Sequence, residues 1–329
     1  MEQDVADVAR EKCPAGMAFI TVLLRWPDRE QARLYVLGFV SVGDIEPSGV
    51  FRELPWQAES IDLQEELLGQ AAIDFVDELE ATRPARFCEE ITKQSVEEID
   101  KNHAKGLFSR DQLDELFGRG QWRPLPRFMV EQACGKKRCI DDGARPGHNS
   151  ATGAWETIFT TSVDFVVSAV AVLIVHVLII HVGVSPEQSL AELLKLLPDW
   201  FQLVIGLNDL LDAYRQCPNA PSQAHLNVVG FWHSLVKEWV YMVLKGHVFG
   251  KLAAVLNFCR LPCLTSAFAR RIYGVITTAF FDDNATIDLL IASGWGAGLS
   301  TVLFQVWSSH IAQQELANGH ATDIPRLCC

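Results

Sequence analysis

The spacing of apolar residues predicts mostly helices in the first third of the chain. Between residues 60 and 118, apolar side chains recur near helical spacing with acidic residues between them, which is typical of amphipathic helices. Ser109 is a favourable N-cap residue and Gly118 a favourable C-terminal stop, so a helix is predicted between them. Residues 15–56 mix short apolar runs with Gly and Pro, and this pattern predicts strands or short helices.

Short apolar runs bounded by polar turns predict strands farther along the chain. Residues 127–132 and 138–140 alternate in polarity on either side of a turn that contains glycine, which predicts a β-hairpin. The apolar run 200–207 predicts another strand. The runs 226–232 and 240–244 predict two more, separated by a polar turn.

Helical patterns are also present in this second part of the chain. They cover residues 189–197, 252–264 and 267–278. Because these helices are interspersed with strands joined by short turns, the predicted fold class is α+β.

One apolar stretch, residues 165–184, contains no charged residue over twenty positions. That length would span the hydrocarbon core of a bilayer, although His176 and His181 are costly in lipid. The alternative is a helix or strand buried in the core of a soluble domain. The sequence leaves both interpretations open, so a membrane stays among the candidate partners.

Composition and charge narrow the class of protein. The chain has 329 residues, of which 49% are hydrophobic and 21% charged, and this excludes a fully disordered or fibrous protein. The net charge of −13 excludes a generally basic nucleic-acid coat protein. The negative charge is concentrated in residues 1–120, whereas residues 121–145 hold six basic residues against three acidic ones. Residues 121–145 are therefore the candidate region for an anionic ligand.

The cysteines indicate a reducing compartment. Nine of them are scattered along the chain, the number is odd, and no CxxC pair occurs, so neither a disulfide framework nor a zinc knuckle is predicted. The acidic N-terminus lacks the basic n-region of a signal peptide. The predicted location is intracellular, in the cytoplasm or nucleus, with a membrane as the alternative.

Three acidic residues follow apolar runs, where carboxylates are unfavourable. Asp209 comes after the run 200–207, and Asp282 and Asp283 are adjacent after another. Adjacent acids repel each other, and burying either one costs free energy. A divalent cation resolves both problems, because Mg²⁺ binds through one or two carboxylates together with substrate phosphates. An Asp-Asp pair also suits a turn or helix cap, so the pair alone leaves both roles open.

Four short motifs resemble those of reverse transcriptases and occur in the same order. The segment Asp209-Leu-Leu-Asp-Ala-Tyr214 resembles motif A, and Phe280-Phe-Asp-Asp283 resembles motif C. The segment Phe249-Gly-Lys-Leu-Ala-Ala-Val-Leu-Asn-Phe-Cys-Arg260 resembles motif B. In the fingers, Gly135-Lys-Lys-Arg138 resembles the Gly-Lys-x-Arg motif. The resemblance covers residues 95–285 and is nearest to divergent proteins of retroelement type.

The resemblance implies an RNA-directed DNA polymerase, a nucleotidyltransferase that works by two-metal phosphoryl transfer. Asp209, Asp282 and Asp283 would hold two Mg²⁺ or Mn²⁺ ions, and the backbone carbonyl of Leu210 would be a further ligand. One ion would activate the attacking 3′-hydroxyl, and the other would neutralise the leaving pyrophosphate. The implied partners are an RNA or DNA template with its primer, and deoxynucleoside triphosphates.

The other matched residues would bind the incoming nucleotide. The triphosphate would be bound by three basic residues, Lys136, Lys137 and Arg138. Arg suits such a bidentate task. Tyr214 would lie under the sugar and exclude a 2′-hydroxyl by contact. Phe249 and Gly250 would let the backbone approach template and nucleotide closely.

The resemblance also implies a right-hand-like fold of fingers and palm, in which an antiparallel palm sheet packs on helices. Four segments are predicted: an acidic, mostly helical region at 1–94, fingers at 95–198 that include the apolar segment, a palm at 199–290, and a C-terminal helix and tail at 291–329. No thumb pattern follows Asp283, so a C-terminally truncated polymerase is expected.

Two other functions stay open. A decayed retroelement copy without a thumb would be a non-catalytic nucleic-acid-binding relic of the palm fold, because a fold does not fix a function. Its binding would be weak, since phosphate contacts dominate nucleic-acid affinity and the chain is acidic. The second alternative is a membrane protein that spans the bilayer at 165–184, in which case the motif matches are accidental.

Overall fold

The fold was analysed on a computed structural model. It describes residues 2–55, 62, 66–82, 86–159, 163–182, 195–198, 200–210, 212–292, 295–306 and 311–317. The described helices are α1 (Gln3–Ala9), α2 (Pro14–Leu24), α3 (Gln31–Leu37), α4 (Gln70–Ala81), α5 (Cys88–Asp100), α6 (Arg110–Phe117), α7 (Val163–Val177), α8 (Leu252–Tyr273) and α9 (Trp295–Val306). A π-helical turn, Leu178–Val182, follows α7.

The described strands alternate with these helices along the chain. They are β1 (Gly43–Ile45), β2 (Arg52–Glu53), β3 (Ala104–Phe108), β4 (Pro124–Glu131), β5 (Lys137–Asp141), β6 (Thr152–Ala154), β7 (Glu156–Thr157), β8 (Leu203–Leu210), β9 (Val228–His233), β10 (Glu238–Leu244), β11 (Ile276–Phe280), β12 (Asp283–Leu289) and β13 (Ile311–Ala317). The chain is therefore an α+β protein, as its sequence predicts.

Two compact units make up the chain. Unit 1 consists of residues 1–158 and 212–260, and unit 2 consists of residues 159–211 and 261–328. The long helix α8 contributes its first part to unit 1 and its last part to unit 2. The division into two units does not test the segment boundaries predicted at residues 94, 198 and 290, so these boundaries stay predictions.

Unit 1 is built on a five-stranded sheet in the order β3-β10-β9-β4-β5. Neighbouring strands are antiparallel except for β4 and β9, which pair in parallel. Successive side chains of a strand point to opposite faces of the sheet. The apolar strands β9 and β10 therefore contribute side chains to two hydrophobic cores, one on each face. Val229, Phe231 and Met242 pack with Ile91 of α5 on one face.

The opposite face of this sheet packs on α4 and α6. Val228, Tyr241 and Val243 lie there with Val76 of α4 and Leu113 of α6. Val228 and Val229, like Tyr241 and Met242, are neighbours in sequence but belong to different cores. This follows because successive side chains of a strand point to opposite faces of the sheet. The sheet is thus covered by helices on both faces.

Several elements of unit 1 confirm the sequence predictions. Helix α6 begins at the predicted N-cap, where Ser109 and Gln112 form a capping box, and it ends at Gly118, whose φ is +97°. The predicted hairpin is the pair β4 and β5, and the two strands predicted at 226–232 and 240–244 are β9 and β10. Strand β3, by contrast, lies inside the region predicted as wholly helical, so that prediction is wrong at residues 104–108.

The N-terminal residues are tied into unit 1 by buried ion pairs. Lys245 at the end of β10 donates a 2.5 Å hydrogen bond to Asp7 of α1. Farther along, Arg260 of α8 binds the buried carboxylate of Asp28. Residues before 94 therefore contribute directly to the packing of the five-stranded sheet and of α8.

Unit 2 contains an antiparallel sheet in the order β11-β12-β8-β13. Helix α8 packs on it, and the Asn284 side chain of β12 donates a 3.3 Å hydrogen bond to Ser266 of α8. Helix α9 is held by Asp288 of β12, which accepts a 2.6 Å hydrogen bond from the backbone N–H of Gly296. The antiparallel sheet packed on helices matches the expectation for this part of the chain.

Two predicted elements of unit 2 need correction. The helix predicted over 267–278 ends at Tyr273, and Ile276–Phe280 is strand β11. The sequence predicts a helix and a tail over residues 291–329; these residues contain helix α9, but the tail contains β13, which adds a strand to the sheet beside β8. The helix predicted at 189–197 lies outside the described residues, except for 195–197, which form a turn and a bend.

The apolar stretch at 165–184 forms α7 and its π-helical turn, as far as residue 182. Leu178 is buried, but the outward side chains of α7 are exposed, so the interpretation as a deeply buried core element is wrong. Among the described helices, the one that is long and apolar enough to cross a membrane is α8, and 83% of its most apolar window is buried inside the protein. That degree of burial is typical of a core helix.

Candidate active site

Asp209 and Asp283 lie directly opposite each other on neighbouring strands. Asp209 is near the end of β8, Asp283 is the first residue of β12, and the two are paired in the antiparallel register. Side chains of directly opposed residues point to the same face of a sheet, with Cβ atoms about 4.5–5.5 Å apart. Both carboxylates are exposed. Two like charges therefore meet on one accessible face of the sheet, and like charges directly opposite each other repel.

Asp282 lies in the tight turn that joins β11 to β12. Phe280 and Asp283 form the last pair of the hairpin, so the loop consists of Phe281 and Asp282 alone. Phe281 has a φ of +53°, which is strained for a bulky side chain. The carbonyl of Asp282 accepts a 3.2 Å hydrogen bond from the backbone N–H of Leu210. This bond ties the turn to the end of β8.

Buried polar residues lie one position away from the paired carboxylates. Asn208 and Asn284 are opposite each other in the next register position and are 1% exposed. Thr277 of β11 donates a 3.1 Å hydrogen bond to the Asn284 amide oxygen. Because the strand period is two, these side chains point to the inner face and the carboxylates to the outer one. Hydrogen bonds of Asn284 on the inner face thus hold the strand that carries Asp283 on its outer face.

Three acidic residues lie at this site: the opposed pair Asp209 and Asp283, and Asp282 in the adjacent turn. No group of three His, Cys, Asp or Glu side chains placed to hold a metal ion occurs among the described residues. Leu210, predicted to contribute its carbonyl, has a buried side chain and is paired with Ile311 of β13. The donors that meet on the outer face are the hard carboxylate oxygens of Asp209 and Asp283, which suit Mg²⁺ or Mn²⁺.

The candidate nucleotide-binding residues of unit 1 are grouped around a tight loop before α8. Gly250 has a φ of +118°, and a Cβ atom there would be 2.1 Å from the backbone carbonyl oxygen of Asp141. The amide of Asn149 donates a 2.9 Å hydrogen bond to the Gly250 carbonyl and accepts a 2.9 Å hydrogen bond from the backbone N–H of Leu252. Glycine is therefore required at position 250. The loop holds the exposed ring of Phe249 at its tip.

Tyr214 packs between two of the residues predicted to belong to the same site. Its ring centroid is 5.5 Å from that of Phe249 and 5.2 Å from that of Phe258. Both distances are within the range for favourable aromatic pairs. Tyr214 is half-buried, so one edge of this cluster is open to solvent. The structure thus places Tyr214 against Phe249, next to Gly250.

The three basic residues of the Gly-Lys-x-Arg motif lie at the β4–β5 hairpin. Lys136 is in its turn and Arg138 on β5, and both are exposed. Lys137 points the other way, where its ammonium group donates a 2.5 Å hydrogen bond to Glu90 of α5 and lies 4.4 Å from the ring centroid of Phe87. The hairpin therefore presents Lys136 and Arg138 to solvent, whereas Lys137 forms a half-exposed ion pair with Glu90.

Other basic residues of the 121–145 region also have acidic or backbone partners. Arg123 donates to the carbonyl of Ala71 at 2.9 Å, and Arg145 donates to Glu78 at 2.7 Å. Arg127 is fully buried and binds Asp141 through two hydrogen bonds of 2.7 and 3.1 Å. Four of the six basic residues thus have partners within unit 1, which leaves Lys136 and Arg138 as the cations best placed for an anionic ligand.

A buried charge network connects Arg215 to the β4–β5 hairpin. Glu98 of α5 accepts hydrogen bonds from Arg127 at 3.0 Å and from Arg215 at 2.9 Å. Burial alone would raise the pKa of Glu98, but the two guanidinium groups outweigh it and lower the pKa to about 2. Arg215 follows Tyr214 directly in the chain, so this network fixes the position of the aromatic cluster.

Sequence reasoning missed two buried bases beside the Phe249–Gly250 loop. Lys251 donates 2.7 Å hydrogen bonds to Asn227 and to the carbonyl of Leu226, and burial places its pKa well below the usual value. His247 lies between Asn219 and Asn257, and burial lowers its pKa to about 3. The available signal was weak, because a lysine next to a motif glycine is more often exposed.

Comparison with known proteins adds no family to this picture. No protein-family model matches the chain, and none of the curated proteins matches it.

Proposed function

We propose that this chain is a nucleotidyltransferase core of reverse transcriptase type, which extends a primer along an RNA or DNA template. The observation that carries the proposal is the register of unit 2, where Asp209 and Asp283 are opposed and exposed on one sheet face. The two residues come from separate motifs, and the resemblance gave each of them a metal-binding role. Their opposed positions in the sheet support that role, and this support does not depend on the sequence resemblance.

The donor set of the site fits Mg²⁺ or Mn²⁺. Magnesium binds through one or two carboxylates, keeps several waters and completes its octahedron with substrate phosphates, so the pair Asp209 and Asp283 suffices on the protein side. Asp282 lies next to them in the turn. When bound, such ions would lower the cost of deprotonating the primer 3′-hydroxyl and neutralise charge on the triphosphate.

The chain's own residues would position the substrates. The backbone of the Phe249–Gly250 loop is held by Asp141 and Asn149, so the exposed Phe249 ring offers a fixed surface for a base or sugar. Tyr214 packs against that ring and would limit the space for a 2′-hydroxyl. Lys136 and Arg138 would bind phosphates, because they are the exposed cations of the hairpin.

A second candidate function is a non-catalytic nucleic-acid-binding protein. It is favoured by the finding that no three ligating side chains are grouped among the described residues. Such a protein would keep the exposed Lys136 and Arg138 and bind nucleic acid without extending a primer. Activity measurements separate the two functions.

The test is primer extension by the full chain on poly(rA) primed with oligo(dT), with dTTP and either Mg²⁺ or Mn²⁺. The Asp283→Asn variant should lose activity by about a thousandfold or more, since metal-bound charge stabilisation contributes several kcal/mol. The matched control is Asp44→Asn, the same substitution at an exposed position of β1, which should leave extension unchanged.

Two results would overturn the catalytic proposal. One is extension that persists in Asp283→Asn. The other is folded wild-type protein that binds primer-template, measured by fluorescence anisotropy, but adds no nucleotide with either metal. The second result would establish the non-catalytic function instead.

A further inference from the structure

Helix α7 presents an apolar face to solvent. Its exposed positions begin with Asp164 in the first turn and are then mainly small aliphatic residues, with one serine and one histidine: Val167, Ser168, Ala171, Val172, Val175 and His176. Val172 is 64% exposed and Val175 is 44% exposed. A surface helix of a soluble protein normally places charged residues on its solvent-facing side. Beyond its first turn, α7 places apolar residues there instead.

The opposite face of α7 is only half-buried, and it is apolar as well. It includes Val166, Val170 and Ile174. From Phe165 onward, the helix and the π-helical turn belong to a stretch of twenty residues without charge. A contiguous exposed apolar surface of this kind marks a contact with a membrane or a partner protein.

Two features favour lipid over protein. Protein interfaces are enriched in aromatic residues, Met and Arg and have a polar rim. The outward face of α7 has no aromatic residue, Met or Arg, and its one charged residue is Asp164 at the N-terminal end. Its branched aliphatic side chains match the interior of a bilayer.

A single crossing of the membrane is incompatible with the topology of unit 1. Strand β4 precedes α7 in the chain and β9 follows it, yet these two strands pair in one sheet. A crossing between them would put the two strands on opposite sides of the bilayer. A return crossing would have to use residues 183–202, which contain Glu187, Glu192, Lys195 and Asp199, and such charges are costly in lipid.

We infer that α7 lies in the plane of a membrane and inserts its outward face, Val167 to Val175, into the bilayer from one side. An apolar helix face in this position typically penetrates about 5–10 Å, to the boundary between headgroups and acyl chains. The chain would then attach to a membrane surface without spanning it. This inference does not rest on the proposed polymerase function.

Flotation with phosphatidylcholine vesicles tests the inference directly. The full chain should float with the vesicles, and binding should persist in 1 M NaCl because apolar contacts are not screened by salt. The variant Val172→Glu/Val175→Glu should reduce the bound fraction about tenfold or more, since it places two charges in the apolar contact. Val236→Glu is the control, because Val236 is 56% exposed in the turn between β9 and β10 and lies outside α7.

Three outcomes would overturn the inference. The first is wild-type protein that stays with the soluble fraction at all vesicle concentrations. The second is equal flotation of the α7 variant and the wild type. The third is a change from dimer to monomer in the α7 variant, measured by light scattering, without any change in flotation, which would identify the face as a contact between two copies. Both variants replace exposed side chains, and circular dichroism checks that they fold.

Discussion

Asp28 and Arg260 form a bidentate ion pair that is almost completely shielded from solvent. The guanidinium Nε and Nη2 atoms donate hydrogen bonds to the two Asp28 carboxylate oxygens, each 2.6 Å long. Asp28 also accepts a 3.1 Å hydrogen bond from the backbone N–H of Gln31 at the start of α3. One carboxylate therefore connects the beginning of α3 to helix α8.

Breaking this pair should destabilise the fold strongly. Asp28→Asn keeps an acceptor for Gln31 but leaves the buried Arg260 without a counter-ion, so we expect a loss of about 3–5 kcal/mol in the free energy of unfolding. Urea denaturation measures it. The surface pair Arg33 and Glu30 is the control, since Glu30→Gln should cost under about 1 kcal/mol. Equal losses in the two variants would contradict this account of Asp28.

Gly250→Ala should destabilise unit 1 and distort the loop before α8. The added Cβ would be 2.1 Å from the Asp141 carbonyl oxygen, at a φ of +118°, and we expect a cost of about 2–4 kcal/mol. Gly135→Ala is the matched control, because Gly135 has a φ of +79° but no atom within 4 Å of a Cβ. Its cost should be about 1–2 kcal/mol, from backbone strain alone. Thermal unfolding distinguishes the two, and an equal shift would refute the close contact.

Acid should weaken the charge network at Glu98 in a defined pH range. The pKa of Glu98 is lowered from an ordinary value of 4.5 to about 2 in the folded chain. A carboxyl group with a lower pKa in the folded state contributes stability above its unfolded pKa and loses that contribution as the pH falls. The free energy of unfolding should therefore decrease between about pH 5 and pH 2.

The variant Glu98→Gln isolates this contribution. It should unfold more easily at neutral pH and show a flatter dependence between about pH 5 and pH 2. Glu97→Gln, on the same helix and in a half-exposed pair with Lys93, should keep the wild-type slope. Chemical denaturation at a series of pH values provides the comparison, and parallel curves for wild type and Glu98→Gln would show that the network does not titrate as described.

Removing one charge of the opposed carboxylate pair should stabilise the metal-free protein. Asp283→Asn relieves the repulsion with Asp209 across the β8–β12 register, and we expect a gain of about 0.2–1 kcal/mol in EDTA. The gain should shrink when Mn²⁺ is added, because a cation neutralises the pair only in the wild type. Asp44→Asn should show neither effect. A loss of stability in EDTA would mean that the two carboxylates do not repel each other.

The antiparallel sheet of unit 2 could be anticipated because local signals and long-range partners agree there. One apolar run ends at Asp209, and a second one is followed by Asp282 in a turn. These runs predict strands with acidic residues at their ends, and the antiparallel register places Asp209 opposite Asp283. Helix α6 is similar, since its cap Ser109 and its stop Gly118 are both local features. Such elements need little tertiary information.

Other elements depend on partners that are distant in sequence. Strand β3 contains Gly106 at a φ of +51° and lies in an acidic region of helical composition, so its pairing with β10 overrides the local pattern. The basic residues at 121–145 look like a patch in the sequence, yet Arg127 and Lys137 are bound to Asp141 and Glu90. Whether a charge faces solvent or an internal partner is decided by the fold.

The proposed function requires that the opposed carboxylates of Asp209 and Asp283 bind divalent cations. Electron paramagnetic resonance of free Mn²⁺ measures this binding in the presence of dTTP, which supplies the phosphate ligands. We predict that the wild type and Asp44→Asn bind Mn²⁺ equally and that Asp209→Asn and Asp283→Asn each lose affinity by about tenfold or more. Equal Mn²⁺ binding by all four proteins would contradict the claim and leave the carboxylate pair without a role in catalysis.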